Sequence, residues 1–229
     1  MLEEDTMHYE IEHGPSYALG IVQLDPGDQF QAEAGAMVSM SDTIKMTTAV
    51  RGGLMKGLKR SLLGGESFFI NTFEAQQAGE VTIAPSLPGD ILALEISEPL
   101  LIQSGSFLAA TPGVEIDTKW GGGKTFFSRE GLFLLRCTGS GIIFISSYGA
   151  IRLVELGAGE RYTVDTGHMV AFDETVRYSV GRSGGWKSTL FSGEGLVAKI
   201  EGPGRFYMQT RSPASFLDWL VPQLPSKRN

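Results

Sequence analysis

Asp165-Thr166-Gly167 is the triplet that carries the catalytic aspartate of aspartic proteases. That chemistry needs two carboxylates sharing one proton, supplied by two lobes or by a symmetric dimer. At the matching places in the chain stand Glu33-Ala34-Gly35 and Gln103-Ser104-Gly105. Gln103 has nothing to ionise, so the segment reads as a hydrogen-bonded turn in which glycine takes an awkward backbone angle. His8, His13 and His168 are the histidines, and none has the His-x-His or His-Glu-x-x-His spacing that aims ligands at one metal. His168 takes the place of Ala36 and Ser106 and reads as a surface or hydrogen-bonded side chain. Gly121-Gly122-Gly123-Lys124 resembles a phosphate loop but lacks the Walker spacing and a following helix pattern. Matching pairs at Gly52-Gly53 and Gly184-Gly185 make it a repeat boundary instead. The chain is expected to be no enzyme and to hold no metal or cofactor.

The elements around these residues repeat three times. Gly27 to Met46, Ser97 to Ile116 and Gly159 to Tyr178 share one ungapped template. Each has an acid at its second residue (Asp28, Glu98, Glu160), an apolar residue two further on (Phe30, Leu100, Tyr162) and then a glycine (Gly35, Gly105, Gly167). After each glycine one residue is skipped and two apolar ones follow: Met37-Val38, Phe107-Leu108, Met169-Val170. Such a period means one supersecondary unit used three times. Glu66-Ser67, Glu130-Gly131 and Glu194-Gly195 extend it, each followed by an apolar-rich segment, a glycine turn (Gly79, Gly139-Ser140-Gly141, Gly202-Pro203-Gly204) and a further apolar segment. That arrangement predicts a β-hairpin closed at each glycine. Repeats of about 9–83, 84–148 and 149–211 follow, within a single compact body of 1–229.

Thirty Gly and ten Pro, spread along 229 residues, supply the close turns of an all-β chain. A net charge of −7 opposes attraction to phosphate, which makes nucleic acid a poor partner. The lone Cys137, in the run LFLLRC, predicts a buried, inert thiol. With no signal-type start and no apolar stretch long enough to span a bilayer, a cytoplasmic location is expected.

Two segments depart from the β pattern. In 51–65, Leu54, Met55, Leu58 and Leu62 share a helical face opposite Lys56, Lys59 and Arg60. It reads as packing on the body or a neighbouring subunit, with a membrane surface as the alternative. At the other end, Ser212-Pro213 has the N-cap and first-turn residues of a helix over 213–221, ended by Pro222. Its Phe216, Leu217, Trp219, Leu220 and Val221 are expected to dock on the body or across a subunit interface.

The segments AEAGAMVSMS, GGESFFINTF, LPGDILAL, QSGSFLAA, VDTGHMVAFD and SGEGLVAKIEGPGRFYMQTRS resemble, in this order, the altered-inheritance-of-mitochondria-24-like family over roughly Tyr9 to Leu224. The resemblance implies small antiparallel β-sandwich units of TRAP-like fold, akin to the tryptophan RNA-binding attenuation protein, repeated within a bacterial chain and often assembled into oligomers. It implies no enzyme activity. The family's recurrent motif falls on Gly64, Gly65, Glu66 and Ser67 and on Asp165, Thr166, Gly167 and His168, without an assigned role. Glu66, Glu130 and Glu194 read as repeat-equivalent acceptors of backbone N–H bonds.

Together these readings predict a non-enzymatic scaffold or interaction protein of this mitochondrial-biogenesis family, with an unidentified protein partner. The alternatives are ligand or RNA binding by analogy with the TRAP fold, and membrane-surface association through 51–65. Pseudo-threefold packing and the apolar carboxyl helix predict a homo-oligomer, with a trimer as the state such packing invites.

Overall fold

The computed structural model describes residues 7–50, 68–117, 133–182 and 196–225. An edge strand, β1 (Tyr9–Glu12), precedes three successive sets of six strands. The first set is β2 (Leu19–Leu24), β3 (Gln29–Glu33), β4 (Met37–Met40), β5 (Ile44–Val50), β6 (Phe69–Ala75) and β7 (Gly79–Ile83). The second is β8 (Ile91–Ile96), β9 (Leu100–Gln103), β10 (Phe107–Ala110), β11 (Val114–Asp117), β12 (Leu134–Gly139) and β13 (Gly141–Ser146). The third is β14 (Ile151–Leu156), β15 (Arg161–Asp165), β16 (Met169–Asp173), β17 (Arg177–Arg182), β18 (Leu196–Glu201) and β19 (Gly204–Gln209).

All strand pairs are antiparallel, and every set deals its strands onto two sheets in the same way. The first, sixth and third strands are neighbours in one sheet, and the fourth, fifth and second in another. Adjacent sets share sheets: β5-β6-β3 continues into β10-β13-β8, and β11-β12-β9 into β16-β19-β14. The outermost halves stand alone as β1-β2-β7-β4 and β15-β18-β17.

The hairpins expected at the glycine turns do not form. β6 and β7, β12 and β13, and β18 and β19 follow one another in sequence but lie in different sheets. Alternating apolar residues report a buried face, not the identity of the hydrogen-bonded neighbour. The glycines turn the chain through a corner between sheets, with φ of +90° at Gly139, +147° at Gly141 and +142° at Gly204. A Cβ at Gly204 would lie 2.7 Å from Val176 Cγ2, so the corner is crowded as well as sharp. Within the sets, the consecutive strands that do pair, β5 with β6, β11 with β12 and β17 with β18, bracket 51–67, 118–132 and 183–195, outside the described residues.

One irregularity recurs in all three sets. The register of the third strand slips between Met37 and Ser39, between Phe107 and Ala109, and between Met169 and Ala171. A bulge places two residues of one strand opposite one of its neighbour. Consecutive residues can then share a face: Leu108 and Ala109 pack in one apolar cluster, and Val170 and Ala171 in another. The doublets Phe107-Leu108 and Met169-Val170 are each split between two clusters, and both members are buried because these sheets are covered on both faces.

Three apolar clusters form the core, and each draws on neighbouring sets. Leu108 packs in the first with Val22, Phe30, Phe73 and Val81. Val170 packs in the second with Ile102, Phe107 and Ile143. The third gathers Val164, Met169, Phe172, Ile200 and Phe206. Cys137 is buried in the second cluster, and burial pushes its thiol up to about 12.

The carboxyl segment forms α1 (Pro213–Leu220) with a single 3-10 turn after it. Ser212 caps it, its Oγ accepting from Ser215 N at 3.4 Å, with Pro213 in the first turn. Docking is shallower than the apolar sequence predicts. Phe216 meets Tyr148 with ring centroids 5.9 Å apart, but no α1 residue is fully buried, and Leu217, Trp219 and Val221 are exposed. Among the described residues, no helix is long and apolar enough to cross a membrane.

Candidate functional site

The turns between the second and third strands of the sets converge on one region. They share a position but not a conformation. Ala34-Gly35 makes a turn closed by Ala36 N–H to Glu33 O at 3.0 Å, with Gly35 at φ +97°. Ser104–Ser106 and Thr166–His168 are single 3-10 turns instead.

Asp165, Thr166, Gly167 and His168 are knotted into this third turn. The Gly167 N–H donates to Asp165 Oδ1 at 2.9 Å, as expected of an acid bracing a turn. His168 Nδ1 donates to the Gln209 carbonyl at 2.8 Å. Gln209 returns the tie, its Nε2 donating to Gly167 O at 2.9 Å while its Oε1 accepts from Tyr148 N at 2.8 Å. A Cβ on Gly167 would lie 2.6 Å from Ser212 Oγ, the helix cap, so glycine is needed for close approach. Asp165 thus does structural work here, and the matching Gln103 supplies no carboxylate. Gly64, Gly65, Glu66 and Ser67, like Glu130, Glu194 and the 51–65 segment, lie outside the described residues.

Between the turns and α1 lies a cavity of about 480 Å³, lined among others by Ala36, Gln103, Ser106, Gly167, Gln209 and Leu217. Gln103 is 3 % exposed, and its Nε2 has no hydrogen-bond partner among the described residues. A buried donor left unmade is costly, so this amide is equipped to meet an acceptor. Sequence reasoning placed Gln103 only as the neutral counterpart of Asp165. Gln209, the hub of the knot, carried no signal of its own, because its partners lie on turns and strands distant in sequence.

The second candidate surface is a pair of strand edges. Inside the chain β3 is sealed by β10, with Ala32 opposite Ala109, and β9 by β16, with Ile102 opposite Ala171. Arg136 and Glu174 brace the second seam through Nε–Oε1 at 2.7 Å and Nη2–Oε2 at 3.0 Å. The Arg136 hydrogen bond holds the Glu174 carboxyl below the usual range. The matching strands at the two ends, β4 and β15, each have one strand neighbour among the described residues. Val38 is 58 % exposed, against 2 % for Leu108 and 1 % for Val170 at the same place in the other sets.

Residues 9–211 match the family described as mitochondrial biogenesis AIM24. The chain belongs to that family. An uncharacterised protein of Streptococcus pyogenes serotype M6 is 28 % identical to this AIM24-family chain over 235 residues, covering 99 % of it and 94 % of its own length. The X-ray crystal structure of a Streptococcus pyogenes protein, 27 % identical, superposes with a TM-score of 0.80 over 95 % of this chain and 100 % of that one. The β-rich architecture is therefore shared with an experimentally determined relative.

Proposed function

We propose that this AIM24-family protein is a non-enzymatic scaffold: three TRAP-like β-sandwich units in one chain that self-assemble and display surfaces to a further protein partner. The observation that carries this reading is the contrast at the third strand. The second residue of the doublet is buried in β10 and β16 and exposed in β4 as Val38, and an unpaired strand edge is a template for another chain. The engagement of Asp165 by its own turn supports structural work at the one motif that resembled a catalytic triplet. Multi-angle light scattering at micromolar concentration tests the proposal: a mass at a multiple of 24.7 kDa is expected, and a strict monomer overturns it.

A second reading rests on Gln103. Its unpartnered Nε2 beside the cavity favours a small molecule with an apolar body and a carbonyl or carboxylate oxygen. Native mass spectrometry of the purified protein tests it, with any bound species expected to be lost in Gln103→Leu. The net charge of −7 gives the RNA alternative no comparable support.

A further inference from the structure

Self-association as proposed above does not say which surfaces meet, and the strand edges answer that. We propose that β4 of one copy adds to β15 of a second copy of this chain as an antiparallel pair, with Ser39 opposite Val164, Met40 opposite Thr163 and Asp42 opposite Arg161. The inference rests on the self-assembly reading and specifies its interface. The contact is head-to-tail, using different surfaces on the two copies.

The register comes from the two seams already inside the chain. Ala109 and Ala171 stand four residues after their turn glycines, Gly105 and Gly167. Their partners Ala32 and Ile102 stand three residues before Gly35 and Gly105. The same counting from Gly35 and Gly167 yields Ser39 and Val164. One more bond fixes the end of the ladder: Glu174 N donates to Pro99 O at 3.2 Å in the second seam, and the matching residues are Asp42 and Arg161.

The backbone of β4 is poised for this pairing. Ser41 N–H points inward, donating to Glu80 O at 3.0 Å. Successive strand N–H groups face opposite sides, so those of Met40 and Asp42 face the open edge. In the sealed seam, the bonded Glu174–Pro99 pair occupies the place of Asp42–Arg161, so hydrogen bonds are due at that pair and at Met40–Thr163.

Side-chain chemistry fits the same register. Asp42 is exposed, Arg161 is 80 % exposed while its Nε donates to Glu201 Oε2 at 2.8 Å, and the pairing sets the Asp42 and Arg161 charges across from each other. β4 itself, Met-Val-Ser-Met, carries none of the charges with which proteins blunt an open edge. Burial completes the argument. Leu108 and Val170 each enter the cluster of the set preceding their own, while Met37 packs on the first cluster and leaves Val38 outside. No set precedes the first within the chain, and in the proposed pairing Val38 would rest on the third cluster of the second copy, which contains Val164.

Cross-linking tests the pairing. Ser39–Val164 falls at a non-hydrogen-bonded pair, where Cα atoms about 4.5 Å apart suit a disulfide. Ser39→Cys and Val164→Cys variants are prepared separately, mixed and oxidised, with the native Cys137 buried. A disulfide-linked two-chain species is expected in the mixture and in neither variant alone. Met40→Pro, which deletes an outward N–H, is expected to weaken self-association at least about tenfold with the far-ultraviolet circular dichroism unchanged. An oligomer that gives no cross-link, or that Met40→Pro leaves intact, overturns this interface while self-assembly stands. A doubly substituted chain that closes its disulfide within one copy overturns the second copy as occupant. A monomer by light scattering overturns both readings.

Discussion

β10 and β4 begin with the same pattern, apolar doublet and bulge included, yet one lies inside a six-stranded sheet and the other at the margin of a four-stranded one. The difference is supplied by the neighbour. β10 has β3 from the preceding set beside it, whereas β4 has no preceding set. Equivalent sequences therefore carry unequal energetic weight according to where in the chain they fall. The lesson runs the other way too: Val38 is exposed at a place where Leu108 and Val170 are buried, so the same position in the pattern is core or surface according to the neighbour it receives.

The largest break in this comparison is expected from trimming the buried member of the trio. Leu108→Ala should cost about 2–4 kcal/mol in denaturant unfolding through lost burial and the cavity left behind. Val38→Ala should change the stability of the dissociated chain by less than about 0.5 kcal/mol and weaken self-association instead. Equal costs at the two positions would show that β4 is not the open counterpart of β10.

The turns sharpen it further. Gly167→Val should destabilise the fold by about 1–3 kcal/mol, because the new side chain runs into the Ser212 cap. Gly35→Ala meets open space, and only its φ of +97° opposes the substitution, so about 1 kcal/mol is expected. Thermal or chemical denaturation of the two variants separates crowding from backbone strain.

A smaller effect belongs to the braced seam. The Glu174 carboxyl is held below its usual range by Arg136, so the unfolded chain binds its proton more readily than the folded one. The contribution is present above the unfolded carboxyl value of about 4.3 and is lost as pH falls through the lower folded value. Glu174→Gln should lower the melting temperature at pH 7 by no more than about 3 °C, with the difference from the parent fading as pH falls through the lowered folded value. The smallest effect is that of Asp165→Asn, which keeps an acceptor for Gly167 N–H and should shift stability by less than about 0.5 kcal/mol. Loss of a pepstatin-sensitive cleavage in that variant would contradict the scaffold reading.

Spacing alone made some of the site legible. The turn around Asp165 was readable because Gln103, at the matching place, shows that no carboxylate is required there. The N-cap at Ser212 and the buried thiol of Cys137 were readable from local pattern. The knot around Gln209 was not, because its partners Gly167, His168 and Tyr148 come from turns remote from it in the chain.

By itself, the sequence determined the family, the β-rich class, the recurring turn positions and the start of the carboxyl helix. These depend on residue types at short range: apolar alternation, glycine where the backbone turns sharply, and a serine before a proline. Tertiary structure decided which strands become neighbours. Gly79, Gly139-Ser140-Gly141 and Gly202-Pro203-Gly204 read as hairpin tips but turn the chain from one sheet to another. Tertiary structure also decided that β10 and β16 are sealed while β4 and β15 remain open. Hydrogen-bond pairing between strands distant in sequence depends on which backbone edge is brought alongside, and a strand's own residues specify its buried face but not that neighbour.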